Sequence, residues 1–238
     1  MPERHAIEWI SFDVYSALFD FRTSLLPHIH EAFAATDRGE GERVLELWRR
    51  QQLALAQHHA MLERGHLSFR RATRLALDYA LAHCGLDLGE RARCALVAAW
   101  DALEPWPEAP AALAALRRGG YRLALLSNGD QDMLEALAAR LPGIDAVISA
   151  ERAGAYKPQP RVYTYALEAL VIDRDGLLHV AGSSTDVMGA RSAGLLCGWS
   201  NRFDDVLLHP QFAPSFTVAD LSGLPAALSA ISSTEARS

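Results

Sequence analysis

The chain has 238 residues, half of them hydrophobic and 22% charged, and its 23 Lys and Arg against 29 Asp and Glu give a formal net charge of -6. That length accommodates one large domain or a core carrying an insert, and the acidic balance excludes a non-specific nucleic-acid binder of the usual basic kind. No apolar run approaches the roughly 18 to 20 residues that span a bilayer, and Met1 to Trp9, interrupted by Glu3, Arg4, His5 and Glu8, lacks a signal peptide's apolar stretch, so neither a membrane span nor export is expected. Cys84, Cys94 and Cys197 are odd in number and form no C-x-x-C pair. They read as buried thiols in a reducing cytoplasm rather than a disulfide framework or zinc knuckle.

In chain order, Ile7 to Val14 (IEWISFDV) predicts a buried strand that ends on an acid. From about Pro27 to Leu103 the periodicity is helical only. Leu45, Trp48, Leu53, Leu55 and Met61 form one apolar set and Phe69, Ala72, Leu75, Leu77 and Ala80 another, which predicts about four helices without an intervening strand. The pattern then alternates. Helices near Pro110 to Arg118, Asp130 to Arg140, Pro160 to Leu170 and Val187 to Ala193 are interleaved with strands at Arg122 to Ser127, Ala146 to Ser149, Leu177 to Ala181 and Leu196 to Trp199, with a further strand at Phe216 to Val218. Such alternation predicts an α/β fold, a doubly wound parallel sheet with helices on both faces. The helical block is then an inserted cap, residues 23–104, and the core comprises residues 1–22 and 105–238, with a frayed tail from Ser232.

Ligands in open parallel sheets bind beyond the carboxyl ends of the strands. Asp13, Ser127, Asn128, Lys157 and the turn from Gly182 to Asp186 all fall there. Each has an ordinary reading as well: an acid can cap a helix, a loop lysine can be solvated, and S-S-T-D before an apolar run is a normal helix start. Their joint occurrence at one sheet edge points to chemistry. His58, His59 and His66 lack metal-site spacing, Trp48 and Trp106 read as packing, and no G-x-G-x-x-G or P-loop pattern suggests a nucleotide.

These segments resemble the motifs of the haloacid dehalogenase superfamily, and within it the L-2-haloacid dehalogenases. FDVYSALFD (Phe12 to Asp20) is similar to the first motif, LALLSNGD (Leu123 to Asp130) to the second, YKPQPRVY (Tyr156 to Tyr163) to the third and AGSSTDVMGARSAG (Ala181 to Gly194) to the fourth. LWRRQQL (Leu47 to Leu53), SFRRAT (Ser68 to Thr73) and SNR (Ser200 to Arg202) extend the likeness, which covers roughly residues 7 to 220. The resemblance implies a hydrolase that converts short 2-haloalkanoic acids to 2-hydroxy acids and halide. Asp13 is then the nucleophile and forms an ester that water hydrolyses, Asp186 activates or orients that water, and Lys157 stabilises the carboxylates. Ser127 and backbone N–H groups after Asp13 hold the substrate carboxylate, Arg49, Asn128 and Phe69 cradle the halide, and Tyr15 packs on the substrate or within the cap. A cytoplasmic homodimer is also implied.

Physical chemistry separates this reading from the superfamily's phosphatases. Those need a general acid for an alkoxide, on a second Asp two residues after the nucleophile, and Mg²⁺ to offset the phosphate. Here that position is Tyr15, and no acid stands at Ala181 or Gly182. A halide leaves without a proton, so neither general acid nor metal is needed and no cofactor is expected. Two departures from the dehalogenase pattern stand out. Ser16-Ala17 replaces Gly-Thr, which predicts a less well positioned Asp13, and Ser183 replaces an Asn, shortening that side chain's reach. A Mg²⁺-dependent phosphatase and a non-catalytic binder of small carboxylates therefore stay open as alternatives.

Overall fold

The computed structural model describes residues 7–33, 38–63 and 65–235. Strand β1 (Trp9–Phe12) is buried along its whole length, so every residue of WISF is covered from one face or the other. A five-residue helical turn (Val14–Leu18) and the short β2 (Phe19–Asp20) lead into four helices: α1 (Phe21–Ala32), α2 (Arg38–Met61), α3 (Phe69–Cys84) and α4 (Glu90–Ala98). The chain returns through β3 (Glu104–Pro105), which pairs antiparallel with β2, and Trp106 N donates to Leu18 O at 2.9 Å. There follow α5 (Ala109–Arg118), β4 (Arg122–Ser127), α6 (Gln131–Ala138), β5 (Ala146–Ser149), α7 (Ala150–Ala153), α8 (Pro160–Leu170), β6 (Leu177–Ala181), α9 (Ser184–Ser192), β7 (Leu196–Ser200), β8 (Phe216–Val218) and α10 (Leu224–Glu235).

Among the described residues, six strands form one parallel sheet in the order β5-β4-β1-β6-β7-β8. Chain order reverses at β1, whose neighbours are β4 and β6. The crevice that a doubly wound sheet opens at such a point lies beyond the carboxyl end of β1. Side-chain alternation divides the interior in two. Ile10, Phe12, Leu123, Leu125, Leu178 and Val180 face one core, which is continuous with Leu25, Trp48, Leu77 and Trp100 of the helical block. Trp9, Ala124, Leu126, Leu177 and Ala181 face the other, against Val162 of α8 and Val187 of α9. No helix among the described residues is long and apolar enough to cross a membrane.

Several sequence expectations shift. Helix α1 starts at Phe21, ahead of Pro27, because the Asp20 side chain caps it by accepting from Thr23 N at 3.0 Å. Helix α9 starts at Ser184, so Asp186 lies in its first turn rather than in a loop. Helix α10 continues to Glu235, past the Ser232 expected to begin the tail; residues 236–238, like Met1 to Ala6 with Glu3, Arg4 and His5, lie outside the described residues. Of the three cysteines only Cys197 is buried; Cys84 is half-buried and Cys94 exposed on α4.

Candidate active site

Asp13 follows the last residue of β1, and its N donates to Val180 O at 3.0 Å. Its side chain caps the helical turn that follows: Oδ2 accepts from Ser16 Oγ at 2.9 Å and Ser16 N at 3.3 Å. The other oxygen, Oδ1, accepts from Ser127 Oγ at 3.1 Å and Lys157 Nζ at 3.3 Å. The expectation that losing a hydroxyl at Ala17 leaves Asp13 poorly held is therefore corrected, because Ser16 supplies one. Ala17 itself is fully buried against the fourth motif. A Cβ on Gly182 would lie 2.5 Å from both Ala17 N and Ser16 Oγ, so the close approach of these two loops requires glycine there.

Lys157 is 4% exposed and its ammonium joins Asp13 to Asp186, whose Oδ2 it reaches at 2.8 Å. The loop carrying it is fastened by Asn128, whose Oδ1 accepts from Lys157 N at 2.7 Å and whose Nδ2 donates to Lys157 O at 3.3 Å. Asp186 is 5% exposed. Its Oδ2 also meets His179 Nε2 at 3.0 Å, and Oδ1 accepts from Tyr163 Oη at 2.7 Å. His179 Nδ1 lies 2.9 Å from Ser11 Oγ, an arrangement satisfied when Nε2–H donates to Asp186 and Nδ1 accepts from Ser11. Burial alone would raise the Asp186 carboxyl, but Lys157 and His179 hold it far below the usual carboxylate range. Burial likewise opposes the Lys157 charge, and Asp186 and Asp13 more than offset it, leaving the ammonium above its ordinary value.

Arg49 projects from α2 into the same cavity. Its guanidinium carbon lies 5.3 Å from the Tyr15 ring centroid, 5.2 Å from Phe21 and 5.5 Å from Trp100. It forms no ion pair among the described residues and gives one hydrogen bond, from Nη1 to Gln52 Oε1 at 2.6 Å. Removal from water lowers its pKa, partly countered by the negative charge of Asp13. The cavity, about 550 Å³, is lined by Asp13, Tyr15, Arg49, Ser127, Asn128, Lys157, Ser183 and Asp186, and also by Phe203, Asp204 and Asp205.

Of the nine residues singled out from sequence, eight meet on this cavity. Phe69 lies behind it, fully buried with its ring stacked 5.5 Å from Tyr15, so it backs Tyr15 rather than facing a ligand. Ser127 gives its only hydrogen to Asp13, a different task from holding a substrate carboxylate. Ser183 caps α9 by accepting from Asp186 N at 3.3 Å. The Tyr15 hydroxyl is buried and makes no hydrogen bond among the described residues. Sequence reasoning missed Ser16, Tyr163 and His179. The signal for His179 was present, a lone ionisable residue in the apolar strand LLHVA.

An aspartate at the switch point of a parallel sheet, bridged by lysine to a second acid and facing an arginine from a helical insert, defines a capped, doubly wound α/β protein with a carboxylate-centred site. Residues 7–194 match the family model of the haloacid dehalogenase-like hydrolases. The chain is 35% identical over 218 residues to the (S)-2-haloacid dehalogenase of Pseudomonas sp. (strain YL), an alignment that covers 90% of this chain and 91% of that one. A crystal structure of an L-2-haloacid dehalogenase superposes with a TM-score of 0.87 at 28% identity, covering 94% of this chain and 100% of the other. The L-2-haloacid dehalogenase of Xanthobacter autotrophicus, solved with chloropropionic acid covalently bound, superposes with a TM-score of 0.79 at 29% identity, covering 92% and 97%. The protein belongs to the haloacid dehalogenase-like hydrolase family.

Proposed function

We propose that the protein is a cofactor-independent 2-haloacid dehalogenase that converts short (S)-2-haloalkanoic acids to 2-hydroxy acids and halide. The observation that carries this reading is the pairing of a four-times hydrogen-bonded Asp13 carboxylate with an arginine, Arg49, that forms no ion pair among the described residues. An Asp13 oxygen forms a bond to the carbon bearing the halogen while the carbon–halogen bond breaks, and the halide leaves with the electron pair towards Arg49. Water then adds to the Asp13 carbonyl carbon and the acyl–oxygen bond breaks. The hydroxy acid departs, Asp13 keeps the water oxygen, and the remaining proton passes to solvent in the open cavity.

Asp186 orients that water through the lone pair of Oδ1 that Tyr163 leaves free. Its low pKa makes it a weak base, so holding Lys157 is its larger task. Lys157 holds Asp13 Oδ1 through its ammonium, Asn128 fixes the lysine's loop, and Ser127 and Ser16 aim the carboxylate. Ser183 sets the start of α9 and Tyr15 forms the wall between substrate and cap. The substrate carboxylate is received by backbone N–H groups after Asp13.

The phosphatase alternative requires Mg²⁺, and the residues present do not suit it. Tyr15 stands where a general acid is needed, and a side chain on Gly182 would collide with Ser16. Asp186 Oδ2 is already engaged by the Lys157 ammonium and the His179 ring, and Oδ1 by the Tyr163 hydroxyl. The decisive experiment is halide release from chloroacetate and from each enantiomer of 2-chloropropionate in excess EDTA. Release from chloroacetate and the (S) enantiomer is expected; a requirement for added Mg²⁺, or hydrolysis of a phosphate monoester instead, refutes the reading.

The division into a core of residues 1–22 and 105–238 and a cap of residues 23–104 is supported by the β2–β3 pair, which closes the insert at its base. A cytoplasmic homodimer is part of the same proposal. Leu75 and Tyr79, exposed four residues apart on α3, offer an apolar face for it, and sedimentation equilibrium measures the mass directly.

A further inference from the structure

We propose that Gln52 positions the Arg49 guanidinium, as the first link of a buried hydrogen-bond chain that ties this cation to the core loop bearing Ser127 and Asn128. Three aromatic faces around Arg49 fix the plane of the guanidinium but leave its rotation within that plane free, because ring faces offer no directional acceptor. The hydrogen bond from Nη1 to Gln52 Oε1 supplies the missing direction. Gln52 is fully buried, and its Nε2 donates to Thr73 Oγ1 at 2.6 Å. Thr73, also fully buried, donates in turn to Phe69 O at 2.7 Å. Phe69 N donates to Asp130 Oδ1 at 2.6 Å and Arg70 N to Asp130 Oδ2 at 3.0 Å.

Asp130 thus satisfies two of the N–H groups that the start of α3 leaves unpaired, although it belongs to the core and lies 61 residues from Phe69. It stands three residues after Ser127, so the seating of α3 on the core and the direction of Arg49 are set together. A neutral amide is the group this chain requires at position 52. It accepts from Arg49 and donates to Thr73 at once, whereas a glutamate would cancel the charge that receives an anion.

The inference rests on the reading of Arg49 as halide receptor, and the test separates the two. Thr73→Val removes the hydroxyl without touching Arg49 or the cavity, Gln52→Leu removes the first link, and Thr73→Ser restores the hydroxyl. Outer partners of a functional group typically contribute about 10- to 100-fold. We expect Thr73→Val to lower kcat for 2-chloropropionate by about tenfold, with less loss for 2-bromopropionate, whose halide leaves more readily, and with KM unchanged. Gln52→Leu shows the same pattern more strongly, and Thr73→Ser recovers the rate. Bromide bound at Arg49 quenches the neighbouring Trp100, so saturable bromide quenching weakens in the first two variants and returns in the third. Equal losses on both substrates with unaltered bromide quenching, or no loss, overturn the proposal, as does absence of saturable quenching in the unaltered protein. Should no 2-haloacid release halide, the dehalogenase reading fails alone, and the quenching series still decides the positioning. If Thr73→Val does not fold, Gln52→Leu against the unaltered protein carries the comparison.

Discussion

Lys157→Met removes the cation between Asp13 and Asp186 while roughly conserving the side chain's length. At an effective dielectric of about 20, opposite charges 2.8 Å apart attract by about 6 kcal/mol and those 3.3 Å apart by about 5 kcal/mol. Desolvation of three charged groups consumes much of that, and removing one partner of a buried pair typically costs about 3–5 kcal/mol. The loss should depend on pH in a defined direction. In the unaltered protein the Asp186 carboxyl is depressed, so its contribution to stability is present above the unfolded value near 4 and disappears only as pH falls through the lower folded value. Burial, already the largest influence on that carboxyl, raises it, and without Lys157 the main opposing charge is gone, so the carboxyl moves up. Its contribution is then present at low pH and lost as pH rises. The stability difference between the two proteins should accordingly be widest at pH 7 to 8 and narrow as pH approaches about 4. Urea denaturation across that range measures it, and halide release should fall by about 100-fold or more. A stability difference that stays constant, or widens in acid, would refute the assignment of Lys157 as the counter-charge of both carboxylates.

A single turnover in ¹⁸O water should place the label in Asp13, detected by mass spectrometry of its peptide, because water adds to the enzyme's own carbonyl; label appearing first in the hydroxy acid excludes the ester. Arg49→Ala should lower kcat by about 100-fold or more with little change in melting temperature, since a halide receptor acts mainly as charge develops on the leaving group; unchanged turnover in steady-state assays removes Arg49 from the chemistry. Ala17→Thr should destabilise the fold by about 1–3 kcal/mol without raising the rate, because position 17 is closed and Ser16 already holds Asp13. A faster and equally stable Ala17→Thr, by calorimetry and halide release, would mean that the Ser16 bond is insufficient.

The parts of the fold that could be read from sequence are those whose local pattern has one solution. RLALLS, AVIS, LLHVA and FTV sit between polar loops, and the structure puts β4, β5, β6 and β8 at the expected bounds. What escaped is what tertiary contact decides. The two-residue strands β2 and β3 have no periodicity to detect and exist because Phe19 and Asp20 meet Pro105 and Glu104 across the base of the insert. Helix α7, four residues long, is defined by its Ser149 cap and the chain reversal at Gly154 rather than by any apolar stripe. The site divides in the same way. Strand ends announce Asp13 and Ser127, since a polar residue closing an apolar run has few other places to go. Tyr163 is hidden by the helical stripe of α8, which reads equally well as packing. The pairing of Asp130 with α3 could not be seen, because nothing local to an SNGD turn says which helix it will cap. Attention to the alanine at position 17 concealed the serine beside it, although a hydroxyl one residue earlier on a tight helical turn can reach the same carboxylate.

The charge balance of the cavity explains why the site suits one anion better than another. Lys157 is spent twice over, on Asp13 and on Asp186, and its ammonium has little left to offer a ligand. Arg49 is the opposite case: dehydrated and held by ring faces and by a neutral amide, it forms no ion pair among the described residues. Asp204 and Asp205 add negative charge to the cavity lining. A phosphate dianion would enter such a site with, among the described residues lining it, one cation outside an ion pair to meet it and with two acids opposing it. A haloacid brings a single carboxylate, and its second negative charge appears only as the carbon–halogen bond breaks. An unpaired arginine contributes little to binding a neutral carbon–halogen bond and much to stabilising the departing halide. Interactions that strengthen between ground state and transition state are the ones that raise kcat, and the unneutralised charge of Arg49 is poised to act in that interval.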